Sequence, residues 1–207
     1  GVVPGNRVLL RGYNGPELFA AWLAVIKTGA IAVTTMPMLR APELSAIIGK
    51  AEPAYALCDH RLLMELRAAV AAKGMIKTLI AWGDGDLEGR MEKASDEFVN
   101  ANTAADDVCL LAFTSGTTGQ PKACMHFHRD VLAMADVVGR HLLQTKPGDI
   151  YAGSPPLGFT FGLGALLVFP LRFRAASVPI ESPTPANILA AIENHRVTCL
   201  FTAPFAY

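Results

Sequence analysis

The chain has 207 residues, of which 52% are hydrophobic and 17% charged, and its 18 basic and 18 acidic side chains cancel. This composition excludes a disordered chain, which needs low hydrophobicity and high net charge, and it lacks the basic excess typical of nucleic-acid binders. Charged residues usually make up about a quarter of a soluble domain. The lower fraction indicates a sheet buried on both faces or a piece of a larger protein.

The first half of the chain alternates short apolar runs with helical segments. Asn14 stands where the N-cap of the first helix is expected, Pro16 lies in its first turn, and Gly29 follows its end. Short apolar runs bounded by turn residues are typical of buried strands. The predicted elements are, in chain order, a strand at Arg7–Leu10, a helix at Gly15–Thr28, a strand at Ala30–Thr35, a helix at Ala41–Lys50, a strand at Tyr55–Cys58, a helix at Arg61–Ala72 and a strand at Met75–Trp82.

Residues 83–107 are the most polar stretch and are predicted to form a surface excursion. The alternation then resumes with strands at Val108–Phe113, Ile150–Gly153, Ala175–Ile180 and Val197–Phe201, and helices at His128–Leu143 and Pro185–His195. Strands alternating with helices predict an α/β fold of βαβ units, with mostly parallel sheets covered by helices. We expect two lobes, residues 1–100 and residues 101–207.

Ile150–Leu171 contains 22 residues without a charge, which is long enough to cross a bilayer. The segment also contains four glycines and three prolines, and so many helix breakers are difficult to satisfy in a lipid-exposed helix. We therefore predict a buried strand, a loop and a short helix, and no membrane span.

The four cysteines, Cys58, Cys109, Cys124 and Cys199, form no CxxC pair and match no zinc-binding spacing. Three of them lie in apolar runs, which indicates reduced core cysteines in a cytoplasmic protein. The first ten residues have neither the basic region nor the apolar region of a signal peptide, and the missing initial Met indicates that the gene product begins upstream.

The segment Thr114–Lys122, TSGTTGQPK, lies between a predicted strand and a predicted helix. Its glycines let the backbone approach a ligand, and successive backbone N–H groups in such a loop can surround phosphate oxygens. Lys122 adds a point charge for phosphate. Pro121 stands where a Walker A motif starting at Gly116 would need its second glycine, so an ordinary P-loop NTPase is disfavoured.

TSGTTGQPK resembles the phosphate-binding motif of the adenylate-forming superfamily, which includes acyl- and aryl-CoA ligases, luciferases and peptide-synthetase adenylation domains. Trp22–Leu44, Pro156–Leu163 and Val197–Tyr207 resemble further family segments in the same order, so the resemblance covers essentially the whole chain. Ala123 departs from the glycine that many members have there. The family's later motifs have no counterpart, which identifies the chain as a fragment of the N-terminal domain that we expect to be inactive alone.

The resemblance implies that the complete protein uses ATP, Mg²⁺ and coenzyme A with a small carboxylic acid. Lys122 and Thr118 are the implied catalytic residues: Lys122 offsets the charge on departing pyrophosphate, and the Thr118 hydroxyl is a candidate Mg²⁺ ligand. The implied nucleotide-binding residues are Thr114, Ser115, Gly116, Thr117, Thr118, Gly119 and Lys122.

The activated acid is predicted from Ile150–Leu171, which lacks the aspartate that members acting on amino acids usually carry there. Two aromatic rings beside small residues suit a flat apolar ligand. Phe159, where many acyl-CoA ligases have His, resembles the benzoate and 2-aminobenzoate CoA ligases; the alternative interpretation places both phenylalanines in the core. The predicted acid-binding residues are Phe159, Thr160, Phe161 and Gly162.

His126 and His128 form an H-x-H pair, but a metal site would need a third ligand and none is evident. His128 resembles a family histidine that orients the loop or the helix start. Three other functions stay open, namely a fatty-acyl-CoA ligase, a non-catalytic nucleotide-binding module and a phosphotransferase that forms ADP. The oligomeric state is also open, a dimer included.

Overall fold

The computed structural model describes residues 1–114 and 121–204. The chain divides into two compact units. The first contains residues 1–12 and 20–128, and the second contains residues 13–19 and the chain from residue 129 onward. As predicted, helices alternate with strands, and the sheets are mostly parallel.

The first unit is built on a six-stranded sheet with the strand order β4-β3-β1-β2-β5-β6. Its first five strands pair in parallel, and β6 pairs antiparallel with β5. The strands are β1 (Arg7–Arg11), β2 (Ile31–Thr35), β3 (Tyr55–Asp59), β4 (Thr78–Trp82), β5 (Val108–Thr114) and β6 (Lys122–Phe127). The helices are α1 (Pro16–Lys27), α2 (Ala41–Ala51), α3 (Leu63–Lys73), which follows a 3₁₀ turn at His60–Leu62, and α4 (Asp86–Met91).

The amphipathic helix α2 shows how the sequence covers this sheet. Its buried residues Leu44, Ile47, Ile48 and Ala51 recur at intervals of three and four, which places them on one helical face. Ile47 and Ala51 pack with Val33 of β2 and with β5 in one apolar cluster. Burial of one such Leu or Ile side chain contributes about 1.5–3 kcal/mol. The covered central strands hold β5, which carries the start of the glycine-rich segment, in a fixed position.

The second unit contains a three-stranded parallel sheet with the order β8-β7-β9. The side chain of Thr184 accepts a hydrogen bond from the Asn187 N–H and caps the long helix of this unit. The strands are β7 (Ile150–Gly153), β8 (Ala176–Val178) and β9 (Cys199–Phe201). The helices are α5 (His128–Met134), continued as a π-helix over Ala135–Leu142, α6 (Thr160–Leu163), continued as a π-helix over Gly164–Val168, α7 (Phe169–Arg172) and α8 (Pro185–His195).

The uncharged stretch from residue 150 to residue 171 folds as β7, a turn and short helices, and Ala165 and Leu166 are completely buried. Within residues 1–114 and 121–204, the structure contains no helix of the length and apolarity that crossing a membrane requires.

The strand β6 was not predicted, because half of its residues are exposed and its apolar pattern is weak. The first unit extends to residue 128, because β5 pairs with β2 and β6 pairs with β5.

Candidate functional site

The two ends of the glycine-rich segment lie opposite each other. Thr114 is the last residue of β5, Lys122 is the first residue of β6, and the two are register partners of the antiparallel ladder. Both side chains are exposed. The strands β1, β2, β3, β4 and β5 all end at this edge of the sheet, and ligands of open α/β sheets bind at the carboxyl ends of parallel strands. The predicted nucleotide-binding residues Ser115, Gly116, Thr117, Thr118 and Gly119 lie outside the described residues.

The two histidines after the segment belong to different elements. His126 lies on β6, and because side chains alternate along a strand, it shares a face with Lys122. His128 begins α5, and its backbone N–H donates to the Asp107 carbonyl at 3.1 Å. Across the part of the chain that the structure describes, no cluster of three or more His, Cys, Asp or Glu side chains could hold a metal ion.

The four predicted acid-binding residues form one turn at the start of α6. Phe159 precedes the helix in an extended conformation, and the side chains of Phe159 and Phe161 are 40% and 45% exposed. Residues of a packed core would be far more buried, so the two rings are not enclosed by the described residues of this chain. Gly162 is buried, and a Cβ atom there would overlap the backbone carbonyl of Pro156. Only glycine therefore lets α6 approach the preceding turn this closely.

Phe201, at the end of β9, is the centre of an aromatic cluster that includes Phe161. Its ring stacks on Tyr151 with centroids 5.7 Å apart, and it contacts Phe161 edge to face at 6.0 Å. It also packs against Phe169 at 6.4 Å. Gly153 is the register partner of Phe201, and a Cβ atom at Gly153 would overlap the Phe201 carbonyl. Sequence analysis predicted Phe201 only as a strand residue, because no local pattern links it to Phe161.

Asn14 was predicted as the N-cap of α1, and that prediction is wrong. The helix begins at Pro16, so Gly15 occupies the N-cap position. The buried Asn14 side chain bonds instead to the backbone of Pro155 and Leu157, just before α6. All three residues belong to the second unit. A short polar residue just before a helix usually indicates an N-cap. Here the side chain forms its hydrogen bonds with residues distant in the sequence instead.

Arg11 is a second residue that sequence analysis missed. It ends β1, is 1% exposed, and its guanidinium donates to the carbonyls of Met36, Pro37 and Leu39 at 2.8–3.1 Å. A buried guanidinium needs such acceptors, because leaving its N–H groups unpaired would be costly. Arg11 therefore fixes the turn after β2, within the segment that resembles the family's upstream element.

Two titratable groups end β3 at the same edge of the sheet. Burial raises the pKa of the Cys58 thiol to about 12, so this cysteine stays protonated at neutral pH. Burial also opposes ionisation of Asp59, but hydrogen bonds from the Arg61 side chain and backbone outweigh it and lower the pKa of Asp59. Asp59 is therefore a carboxylate that holds the 3₁₀ turn before α3, which is a structural function.

The sequence profile described as AMP-binding enzyme matches residues 1–207. The chain is 27% identical over 211 residues to a benzoate–CoA ligase of Thauera aromatica, and 29% identical over 215 residues to a 3-hydroxybenzoate–CoA/4-hydroxybenzoate–CoA ligase of the same organism. Each alignment covers the whole chain but only 40% and 41% of the relative. The chain thus spans about 40% of the length of these relatives.

Solved structures agree with the sequence relatives. The anthranilate CoA ligase AuaEII in complex with anthranoyl-AMP matches with a TM-score of 0.95 and 26% identity, over all of this chain and 41% of that one. A benzoate CoA ligase from Burkholderia xenovorans LB400 has the same fold over 100% of this chain and 41% of that one, with a TM-score of 0.90 at 22% identity. With the profile match over its entire length, the chain belongs to the AMP-binding enzyme family, the adenylate-forming enzymes.

Proposed function

We propose that the complete protein containing this chain activates an aromatic carboxylic acid with ATP and transfers the acyl group to coenzyme A. The observation that carries the proposal is the half-exposed pair Phe159 and Phe161, beside the buried Gly162, in a chain whose relatives include benzoate–CoA ligases. The proposed acids are benzoate-like, with 2-aminobenzoate as a second candidate, since the chain also matches an anthranilate CoA ligase.

The proposed reaction has two steps. A carboxylate oxygen attacks the α-phosphorus of ATP, forming acyl-AMP and releasing pyrophosphate. The sulfur of coenzyme A then attacks the acyl carbon, which forms the thioester, releases AMP and leaves the thiol proton to solvent. The attacking carboxylate is already ionised, so the first step needs no general base. The protein therefore contributes chiefly positioning and charge neutralisation.

We assign phosphate binding to Thr114, the segment 115–119 and Lys122. In support, Thr114 and Lys122 lie opposite each other with exposed side chains at the carboxyl edge of the sheet. The Lys122 ammonium would neutralise charge that develops on the leaving pyrophosphate, and this is the basis of its proposed catalytic function. A lysine ammonium is a compact charge well suited to a phosphate.

Mg²⁺ is proposed as the partner of ATP, and the Thr118 hydroxyl as one of its ligands. Mg²⁺ usually keeps several waters and binds through few protein groups together with substrate phosphates. The described residues contain no acidic cluster that would form an all-protein metal site. A metal ion that enters with the nucleotide would lessen the negative charge of its phosphates.

We assign the acid-binding surface to Phe159, Thr160, Phe161 and Gly162, and we extend it to Phe201. Flat rings stack or meet edge to face with other rings, and Phe161 already meets Phe201 in this way. The segment from residue 150 to residue 171 offers no carboxylate to pair the ammonium of an amino acid. An unpaired buried ammonium is costly, and this supports an acid without an α-amino group.

The deciding experiment is acid-dependent release of pyrophosphate by the complete polypeptide. The panel contains benzoate, 2-aminobenzoate, hexanoate and phenylalanine, and AMP and ADP are resolved in the products. Release with an aromatic acid, followed by AMP formation that depends on coenzyme A, is the expected result. Release with hexanoate alone would keep the family and overturn the aromatic assignment. ATP binding without acid-dependent release would favour the non-catalytic nucleotide-binding module, and ADP would indicate a phosphotransferase.

Three further expectations remain predictions. The 207-residue chain is expected to be inactive alone, because it spans about 40% of its relatives' length. A cytoplasmic location is also predicted, and the oligomeric state stays open, a dimer included. Gel filtration of the complete protein and the assay above, applied to the chain alone, would test two of them directly.

A further inference from the structure

The side chain of Asn14 forms hydrogen bonds from both ends of its amide to the segment that leads into α6. Nδ2 donates to the Pro155 carbonyl at 2.9 Å, and Oδ1 accepts from the Leu157 N–H at 2.7 Å. The side chain is 7% exposed, so both bonds are shielded from water. Asn14 is separated from these partners by more than 140 residues of sequence.

The segment needs an external hydrogen-bonding partner because two of its three residues are prolines. Pro155 and Pro156 have no N–H, so they cannot donate to a neighbouring strand or to a turn. The single N–H in this stretch belongs to Leu157, and Asn14 accepts it. The Pro156 carbonyl accepts from the Phe159 N–H at 3.0 Å. Asn14 thus satisfies the polar groups on either side of Pro156.

The position of Pro156 determines where the acid-binding turn lies. Gly162 packs so closely on the Pro156 carbonyl that no Cβ atom fits between them. The Leu163 N–H bonds to the Phe159 carbonyl and closes the first turn of α6. A shift of Pro156 would therefore be transmitted to Phe159 and Phe161, and through Phe161 to its contact with Phe201.

We propose that Asn14 is a positioning residue that sets the acid specificity of this protein, by fixing the Pro155–Leu157 turn on which Phe159 and Phe161 depend. This inference rests on the proposed function, since it assumes that the two rings contact the acid. Asn14 itself contacts neither the acid nor the nucleotide in this proposal. Its removal should therefore act on acid selection and leave nucleotide use unchanged.

The test compares Asn14→Ala with the wild type in the complete protein. The measurements are kcat and KM for benzoate, hexanoate and ATP from pyrophosphate release, and the melting temperature. We expect the KM for benzoate to rise about tenfold, since a small misplacement of a binding surface weakens substrate binding by about this factor. The ratio of kcat/KM for benzoate to that for hexanoate should fall at least about fivefold. The KM for ATP should stay within about twofold.

Asn187→Ala is the matched control. Asn187 also lies in the second unit, in the first turn of α8, and its Nδ2 donates to the exposed backbone carbonyl of Ser182 at 2.8 Å. This control should leave the benzoate-to-hexanoate ratio unchanged. If Asn14→Ala does not accumulate as folded protein, Asn14→Ser takes its place. The serine hydroxyl is neutral and still forms a hydrogen bond, but it is too short to reach both the Pro155 carbonyl and the Leu157 N–H.

The outcomes separate this inference from the proposed function. If the wild-type protein releases no pyrophosphate with any acid of the panel, the proposed function is overturned. An active wild type combined with an unchanged benzoate-to-hexanoate ratio in the Asn14 variants would overturn the assignment of Asn14 alone. Equal losses toward benzoate, hexanoate and ATP would show that Asn14 supports the fold and not the acid site.

Discussion

The two ends of the proposed phosphate-binding segment and the proposed acid-binding turn are positioned by different kinds of contact. Thr114 and Lys122 are eight positions apart, and one antiparallel ladder in the first unit brings them together. The acid-binding turn of the second unit instead depends on residues from three distant parts of the chain, namely Asn14, the stretch from Pro155 to Gly162, and Phe201. The first arrangement is local, and the second exists only after the chain has folded.

The difference follows from what each ligand requires. A polyphosphate has the same shape and charge in every member of a family, so a short glycine-rich segment with one lysine is sufficient to bind it. Carboxylic acids differ in shape, and a pocket that distinguishes them needs rings and backbone fixed by neighbours. Mutations in the proposed phosphate-binding segment should therefore affect activity with all acids alike, whereas mutations in the proposed acid-binding turn should change the choice of acid.

The largest effect is expected for Lys122→Ala in the complete protein. Loss of the ammonium should lower kcat/KM for pyrophosphate release roughly 100-fold, because a preorganised charge near the leaving group is lost. The loss should be equal for benzoate and hexanoate, and the melting temperature should not change because the side chain is exposed. Lys77→Ala, at another exposed lysine of the first unit, is the control. Unchanged activity would remove Lys122 from the mechanism.

Gly162→Ala should give the next largest effect, and it should be selective. The added methyl group overlaps the Pro156 carbonyl, and relief of such an overlap costs about 1–3 kcal/mol of stability. Urea unfolding measures this loss, and the KM for benzoate should rise more than the KM for ATP. Gly148→Ala is the control, since a Cβ atom at Gly148 meets no neighbouring atom. Equal unfolding midpoints for the two variants would contradict the close approach of α6.

Phe161→Leu should produce a smaller and more specific change. The substitution keeps an apolar side chain but loses the edge-to-face contact with Phe201, and such ring pairs contribute about 0.5–1.5 kcal/mol beyond their buried area. We expect the benzoate-to-hexanoate ratio of kcat/KM to fall about threefold to tenfold. Phe98→Leu, at an exposed phenylalanine of the first unit, should not change that ratio. If Phe98→Leu changed that ratio more than Phe161→Leu does, the assignment of Phe161 to the acid-binding surface would be refuted.

Asp59→Ala should have the smallest effect on activity, because Asp59 supports only the first unit. Loss of the bonds to Arg61 should lower the free energy of unfolding at neutral pH by about 1–2 kcal/mol, with no change in the benzoate-to-hexanoate ratio. The pKa of Asp59 is lowered in the folded protein, so its charge stabilises the fold above the unfolded pKa of about 3.9. That contribution is lost as the pH falls through the lower, folded value.

Urea unfolding of the wild type and of Asp59→Ala between pH 7 and pH 2 tests this dependence. The difference between the two proteins should be constant near neutral pH and should shrink below about pH 4. A difference that grows as the pH falls would have the wrong sign and would contradict the ion pair. A changed acid preference would show that the first unit takes part in acid selection. It would contradict the proposal that only the acid-binding turn determines the choice of acid.

The sequence alone determined the family, the α/β class and most strand and helix positions. The strands around Leu9 and Val33 were recognisable because buried parallel strands are short continuous apolar runs. TSGTTGQPK was recognisable because phosphate binding needs backbone N–H groups, glycines and a lysine within one short stretch. Such signals are local, so they survive in a linear sequence.

Only the tertiary structure decided the surroundings of the acid-binding turn. Asn14 precedes α1 as a cap would, and its hydrogen bonds to Pro155 and Leu157 leave no trace in the sequence between them. Phe201 contacts Phe161 because β9 pairs with β7, and Arg11 is buried because backbone carbonyls, three of them in the turn after β2, converge on it. These contacts join residues far apart in the chain, so packing selects them and local preference does not.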